Sequence, residues 1–584
     1  MRFVRFVVRL FAFFGLMVFL GGIAAGVWVW ERMQSRPGLP EAIVLDLDLT
    51  RTLADHRPND PFAALFGHET TVEQVVDALE RARTDPRVKG VLARFGPAPL
   101  TQPQADEIRA AVARFRASGR FATAHADSFG ELDDGMPAYV LAAAFEEVWL
   151  QPGGLVGVTG LWSATPFLKG AFDKLGVRPE MGHREAYKTF ANTFTETGFT
   201  PQHREMMESL VGDLMDQMVD AVAAGRGLSP DAVRAAVDAA PLGDRAAVDR
   251  RLVDRLAYRD EAEAAARARG GAGAVFVDVE RYLDAAGPPN AEGPVIALVH
   301  ATGPIQRGPA DRQGFLDERT IAADDLAEDI ADAAGDPAVR AIVLRIDSPG
   351  GSAVGSETVR RALVRARAAG KPVVVSMGAT AASGGYWIAL GADRIVAQPS
   401  TLTASIGVVA GKLSGAELSE RLGIGWGVVG AGANAGMFSP VAPFDAAGLA
   451  TRDRVLDETY RAFLGRVAEG RNLPFPAVEA VAGGRVWTGR QAQERGLVDE
   501  TGGLLDALET ARRILGLPLG SAVTLRSWPA PTSPFDRVLD LVQVRAPTIG
   551  LEALPPEIRA LLRATVAARR EETVRMPELG ILGR

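Results

Sequence analysis

The segment Tyr139-Val-Leu-Ala-Ala-Ala-Phe-Glu-Glu-Val-Trp-Leu-Gln151-Pro152 returns 247 residues later as Tyr386-Trp-Ile-Ala-Leu-Gly-Ala-Asp-Arg-Ile-Val-Ala-Gln398-Pro399. The register holds without a gap to Gly160 and Gly407, then to Leu175-Gly176 and Leu422-Gly423. Upstream, Asp85-Pro86-Arg87-Val88 pairs with Asp336-Pro337-Ala338-Val339, and downstream Leu252-Val253-Asp254 pairs with Leu497-Val498-Asp499. Colinearity over roughly 200 residues per copy marks a tandem duplication. A chain of 584 residues built this way must form two related cores.

The copies differ where chemistry would reside. Ser383, in Ala381-Ala-Ser-Gly-Gly385, falls opposite Met136, so the first copy lacks the hydroxyl. Lys188 falls opposite Ala435, so the second copy lacks the amine. A reaction needing both groups must draw one from each copy.

Composition narrows the function classes. The formal net charge is −8, and no basic run occurs outside the extreme N-terminus, which argues against nucleic-acid binding. The chain has no cysteine, which removes disulfides, zinc thiolates and a thiol nucleophile. Its six histidines show no ligand spacing, so neither a metal nor another cofactor is expected.

Arg2, Arg5 and Arg9 precede an uncharged run, Leu10 to Trp30, long enough for a helix to cross the ~30 Å hydrocarbon core. The alternative, a cleavable signal peptide, has an apolar region of only ~7–15 residues and an Ala-x-Ala-like site. The length of the run and its Val-Trp-Val-Trp30 ending favour an uncleaved anchor. The leading arginines place residues 1–9 in the cytoplasm, residues 10–30 in the membrane and the body beyond it.

Each copy alternates β-branched apolar runs with helical stretches, the pattern of an α/β fold. In the second copy the expected order is strand 295–299, helix 322–334, strand 341–346, helix 357–369, strand 372–377 and a helix from 381 to 390. The first copy repeats this order from Ala42 to Ala143. The first repeat is expected over 40–286, with a boundary near Gly287, and the second over 287–520. A tail, 521–584, carries an amphipathic helix near Pro556 to Met576, for packing on the body or a partner rather than on the membrane.

Serine is a weak nucleophile until a base takes its proton. Ser383 lies between small residues where a strand meets a helix, a context that exposes a side chain near helix-end N–H groups. Gly350 and Gly351, in Asp347-Ser-Pro-Gly-Gly351, end the preceding strand and can present N–H groups to an oxyanion; the first copy reads Phe95-Gly-Pro-Ala-Pro there. No histidine follows His300, so the base is sought elsewhere. The chain has six lysines among 64 basic residues, and three of them (Lys89, Lys174, Lys371) face arginine in the other copy. Arginine does not deprotonate, whereas a buried lysine does. Of the remaining Lys169, Lys188 and Lys412, Lys188 stands between Tyr187 and Phe190, a possible apolar surrounding. Ser405, in Ala404-Ser-Ile-Gly407, is either an orienting hydroxyl for that amine or an ordinary turn serine. Asp347 reads as a turn residue, and Asp393 as a surface or pairing residue.

Together Asp347-Ser-Pro-Gly-Gly351, Ala381-Ala-Ser-Gly-Gly-Tyr386, Ala404-Ser-Ile-Gly407 and Arg184-Glu-Ala-Tyr-Lys188 resemble the signal peptide peptidase A family in its long, duplicated, membrane-anchored form. This is the protease IV type of serine peptidase, within the Clp protease/crotonase-like fold group. The resemblance covers the chain to about Leu515. It implies Ser383 as nucleophile and Lys188 as general base, Gly350, Gly351 and Gly384 as oxyanion donors, and Ser405 in support of the lysine. It further implies a homotetrameric bowl at the bacterial inner membrane, with its body in the periplasm and remnant signal peptides as substrates. One departure is Thr189-Phe-Ala-Asn-Thr-Phe194, where the family carries a Ser-Ala-x-Glu-Pro-Phe-like stretch. Two rival readings are a crotonase-type acyl-CoA enzyme and an inactive oligomeric scaffold.

Overall fold

A computed structural model of the chain describes residues 38–55, 70–131, 133–310 and 320–529. The expected anchor and the expected tail helix lie outside these residues. Among the described residues no helix is long and apolar enough to cross a membrane.

Each repeat is organised around one mainly parallel sheet. In the first, the strands run in the order Arg255–Leu256, Glu147–Leu150, Phe121–Ala126, Val88–Phe95, Ile43–Leu49, Val275–Asp278, all parallel. In the second, the matching order is Glu500–Thr501, Arg394–Ala397, Val373–Ala382, Val339–Ser348, Val295–Thr302, Thr524–Trp528. Helices cover both faces, so the central strands carry apolar residues on both sides rather than alternating, as Ala341–Leu344 illustrates. The duplication is thus one of topology as well as of sequence.

Several boundaries differ from expectation. Val339–Ser348 and Val373–Ala382 run past their apolar stretches into Asp-Ser and Thr-Ala-Ala, because neighbouring strands keep pairing there. The helix after the second of these begins at Gly384 rather than Ala381. The segment before Gly287 contains an edge strand, Val275–Asp278, that closes the first sheet. Its counterpart Thr524–Trp528 carries the second repeat beyond residue 520.

The repeats are tied together by polar contacts. Arg345 and Glu107 form a buried ion pair at 2.6 Å, and Glu107 also accepts from the Leu504 N–H at 2.7 Å. Asp106 accepts from Ser400 Oγ at 2.5 Å. Arg178–His183 of the first repeat pairs antiparallel with Val409–Ser414 of the second, from Val409 opposite His183 to Ser414 opposite Arg178.

Candidate active site at the junction of the repeats

Ser383 follows the last residue of strand Val373–Ala382 and caps the helix Gly384–Ala389. Its backbone sits at φ 52°, ψ −115°, conformations that a residue with a Cβ rarely adopts. The Ser383 N–H donates to the Ala404 carbonyl at 2.7 Å, which anchors the turn. Ala404 and Ser405 also have positive φ, as does Glu185 in the Lys188 loop. These are four of the six positive-φ residues other than glycine among the described residues, and such strain concentrates at functional sites.

Lys188 comes from the loop after strand Arg178–His183 of the first repeat. Its Nζ lies 3.1 Å from Ser383 Oγ, 2.9 Å from Ser405 Oγ and 2.9 Å from the Ser405 carbonyl oxygen. Only 6% of the residue is exposed. Burial lowers its pKa from 10.5 to about 8, because a charged ammonium loses hydration that the site does not replace with a carboxylate. A neutral amine carries two N–H bonds and one lone pair. With both N–H groups directed to the Ser405 oxygens, the lone pair faces the Ser383 hydroxyl.

The lysine loop is held by the second repeat. Arg184 donates to Asp457 at 2.5 Å and to the Asp453 carbonyl at 2.7 Å. The N–H groups of Arg184 and Tyr187 donate to the carbonyls of Val408 and Gly483. Gly484 (φ 83°) lies so close that a Cβ there would come within 2.4 Å of Lys188 N and 2.6 Å of its Cβ. A Cβ at Gly407 would lie 3.2 Å from Lys188 Cδ. Two glycines therefore enclose the lysine, a role absent from the sequence reading; the Gly483-Gly484 pair was its only visible sign. Phe190 does not supply the expected apolar surrounding: it is 61% exposed and packs on Phe194.

The glycine turn stands beside the serine. A Cβ at Gly350 would be 2.7 Å from Gly384 N and 2.8 Å from Ser383 Cβ. Gly350 donates its own N–H to Ser348 Oγ at 3.2 Å. Among the described residues, the N–H groups of Gly351 and Gly384 have no protein acceptor, and these two are therefore free for a developing oxyanion. Asp347, expected as a turn residue, is an acid with its pKa raised to about 6 by burial and by a hydrogen bond with Asp55 of the first repeat. It accepts from the Thr380 N–H. Asp393 pairs with Arg367 at 2.7 Å, as a pairing residue should.

The other lysines have structural contacts. Lys412 donates to the carbonyls of Met437, Ser439 and Ala442, and Lys169 pairs with Asp173 on the surface. Among the described residues no group of His, Asp or Glu has metal-binding geometry.

Similarity to known proteins divides along the same lines. The model of peptidase family S49 matches residues 133–272 and 365–517, one segment in each repeat. Protease 4 of Salmonella typhi is 31% identical over 579 residues, spanning 94% of this chain and 90% of its own length. Protease 4 of Haemophilus influenzae is 30% identical, spanning 82% of this chain and 80% of its own. The chloroplastic serine protease SPPA of Arabidopsis thaliana is 29% identical, spanning 84% and 72% respectively.

Proposed function

The chain belongs to peptidase family S49 and is a serine peptidase, and on that premise we propose that it cleaves peptide bonds with a Ser383–Lys188 dyad shared between its repeats. The observation that carries this reading is the 3.1 Å approach of a buried Lys188 Nζ to Ser383 Oγ. Neutral Lys188 takes the hydroxyl proton as Oγ attacks the scissile carbonyl carbon. The N–H groups of Gly351 and Gly384 hold the oxyanion. Lys188 then gives the proton to the leaving amine as the C–N bond breaks. Water attacks the acyl-serine, passes a proton to Lys188, and Ser383 recovers its hydrogen. Ser405 keeps the amine aimed throughout. The acyl-CoA alternative loses its basis once the chain is placed in a peptidase family.

The wider reading is a Clp protease/crotonase-like pair of domains. It is anchored by residues 10–30 at the bacterial inner membrane, assembles as a homotetramer, and clears remnant signal peptides and other extended apolar peptides. Its support is the sequence resemblance and the apolar run. The test is hydrolysis of a fluorogenic peptide by the full chain in detergent, with wild type, Ser383→Ala and Lys188→Arg compared. Loss of activity in both folded variants is expected. Full activity in Lys188→Arg would remove the lysine from the mechanism, full activity in Ser383→Ala would remove the serine as nucleophile, and a wild type without activity would favour the scaffold reading.

A further inference from the structure

Arg485 follows the Gly483-Gly484 turn and leads into strand Val486–Thr488 of the second repeat. Its carbonyl accepts from the Ser405 N–H at 2.9 Å, and so fixes the positive-φ serine whose two oxygens receive the Lys188 amine. Its guanidinium crosses to the first repeat. There it makes a two-pronged pair with Glu205, at 2.6 and 2.8 Å, on helix Pro201–Arg226. It also lies 4.9 Å from the centre of the ring of Tyr187, the residue before Lys188, and 4.2 Å from that of Trp487. The guanidinium and the Tyr187 hydroxyl hold the Glu205 carboxyl below the usual carboxylate range. One residue thus touches both the neighbour of the base and the serine that aims the base.

The mirror position has none of this. Leu252 aligns with Leu497, and at that spacing Arg485 falls opposite Ala240. Helices Pro201–Arg226 and Ala446–Arg471 have the same length and correspond end to end, which sets Glu205 opposite Ala450. Tyr187 falls opposite Asn434 under the offset that sets Lys188 opposite Ala435. The arginine, the carboxylate and the ring occur together only on the side that has the amine and the hydroxyl.

We infer that Arg485 is a positioning residue for the dyad: its fork on Glu205 and its stacking on Tyr187 hold the Lys188 loop against the Ser405 backbone, so that the amine stays shielded from water and aimed at Ser383 Oγ. The inference rests on the proposed dyad and adds the residue that keeps it assembled. The guanidinium makes no hydrogen bond to Lys188 or Ser383, so it acts through Tyr187 and Ser405. An ammonium cannot replace it, because a point charge does not span two carboxylate oxygens while lying flat on a ring. Loosening the loop lets water reach the Lys188 amine. Hydration favours the charged form, so the pH at which the base becomes available must rise.

The test is the pH profile of kcat/KM for fluorogenic peptide hydrolysis by the full chain in detergent. Arg485→Met, Arg485→Lys and Glu205→Ala are compared with wild type, each checked for folding by its thermal unfolding midpoint. The wild-type profile should have its midpoint near pH 8. Both Arg485 variants should move that midpoint up by about one unit. They should lower kcat at pH 8 by roughly tenfold with KM unchanged, and regain most of the loss about two units higher. Glu205 is exposed, so the fold tolerates Glu205→Ala, which should shift the midpoint in the same direction by less. That variant carries the test if Arg485→Met does not fold. A wild-type midpoint in all the folded variants, with the same loss at every pH, would make Arg485 a structural contact and overturn the inference. A shift in Arg485→Met but not in Arg485→Lys would assign the effect to charge rather than to the fork, and would overturn it too. A flat wild-type profile would instead remove the lysine base, and the inference with it.

Discussion

The two repeats agree in their scaffold and disagree at the site. Tyr139 donates to the Leu252 carbonyl at 2.7 Å, and Tyr386 donates to that of Leu497 at 2.8 Å. Asp254 accepts from Val148 N and Arg226, and Asp499 accepts from Ile395 N and Arg471. Arg120 donates to the carbonyls of Asp85 and Val88, and Lys371 does the same for Asp336 and Val339. At a carbonyl contact any cation serves, so lysine and arginine exchange freely. At Lys188 the amine faces a hydroxyl, and under the proposed mechanism it must give up its proton, which an arginine there could not do. On the proposed mechanism, the comparison sets positions where charge alone is needed against one that needs a titratable amine.

The largest effects should come from breaking the dyad. Ser383→Ala and Lys188→Arg should each lower kcat by roughly 10^4-fold in peptide hydrolysis, and the double variant should fall little further, because the two act as a unit. Against this, Lys371→Arg and Arg120→Lys should leave activity unchanged.

Next is the glycine clamp. Gly484→Ala would push on Lys188 backbone and should cost roughly 10^2-fold in kcat, as expected for displacing a catalytic group by about 1 Å. Gly119 has a similar φ of 82° but nothing within 4 Å, so Gly119→Ala should cost stability alone. If both variants lose only stability, Gly484 is not a positioning residue.

The pH dependence sharpens the lysine assignment. With a folded-state pKa of about 8, kcat/KM should climb about tenfold per pH unit from pH 6 and level off above 8. A flat profile from pH 6 to 9 would exclude a lysine base. Stability should also rise with pH, over a higher window, from about 8 to 10.5. An unfolded lysine titrates near 10.5, so below pH 8 both states hold the proton and the folded state bears the full penalty of a buried charge. Lys188→Met should therefore raise unfolding free energy at pH 7 by about 1–3 kcal/mol, a gain that shrinks as pH rises from 8 towards 10.5 in denaturant titrations. The smallest expected effect is that of the Lys371→Arg exchange on stability, within about 0.5 kcal/mol.

The repeat arithmetic made the α/β order of both copies and the Ser383–Lys188 division legible before any coordinates. Opposing Met136 and Ala435 to these residues isolates the two positions where the copies could not both be ordinary. Strand ends were less legible, because Asp347-Ser348 and Thr380-Ala382 lack β-branched runs and are held in the sheet by their neighbours. The Gly484 clamp was hidden for another reason. Its meaning lies in contact with a residue almost three hundred positions away, which no local pattern encodes. Phe190 misled because adjacency in sequence says little about which way a side chain points from a loop.

The separation of Lys188 and Ser383 by 195 residues also has a temporal side. Synthesis delivers the lysine loop first and the serine strand only after the first core can close. Between those moments the nascent enzyme has no base aimed at a nucleophile, and its own unfolded second half is safe from it. Under the proposed mechanism, hydrolytic competence arises only when Arg184 and the Gly483-Gly484 turn lock the halves together. The duplication thus acts as a delay: the peptidase becomes dangerous to extended chains only once it has ceased to be one.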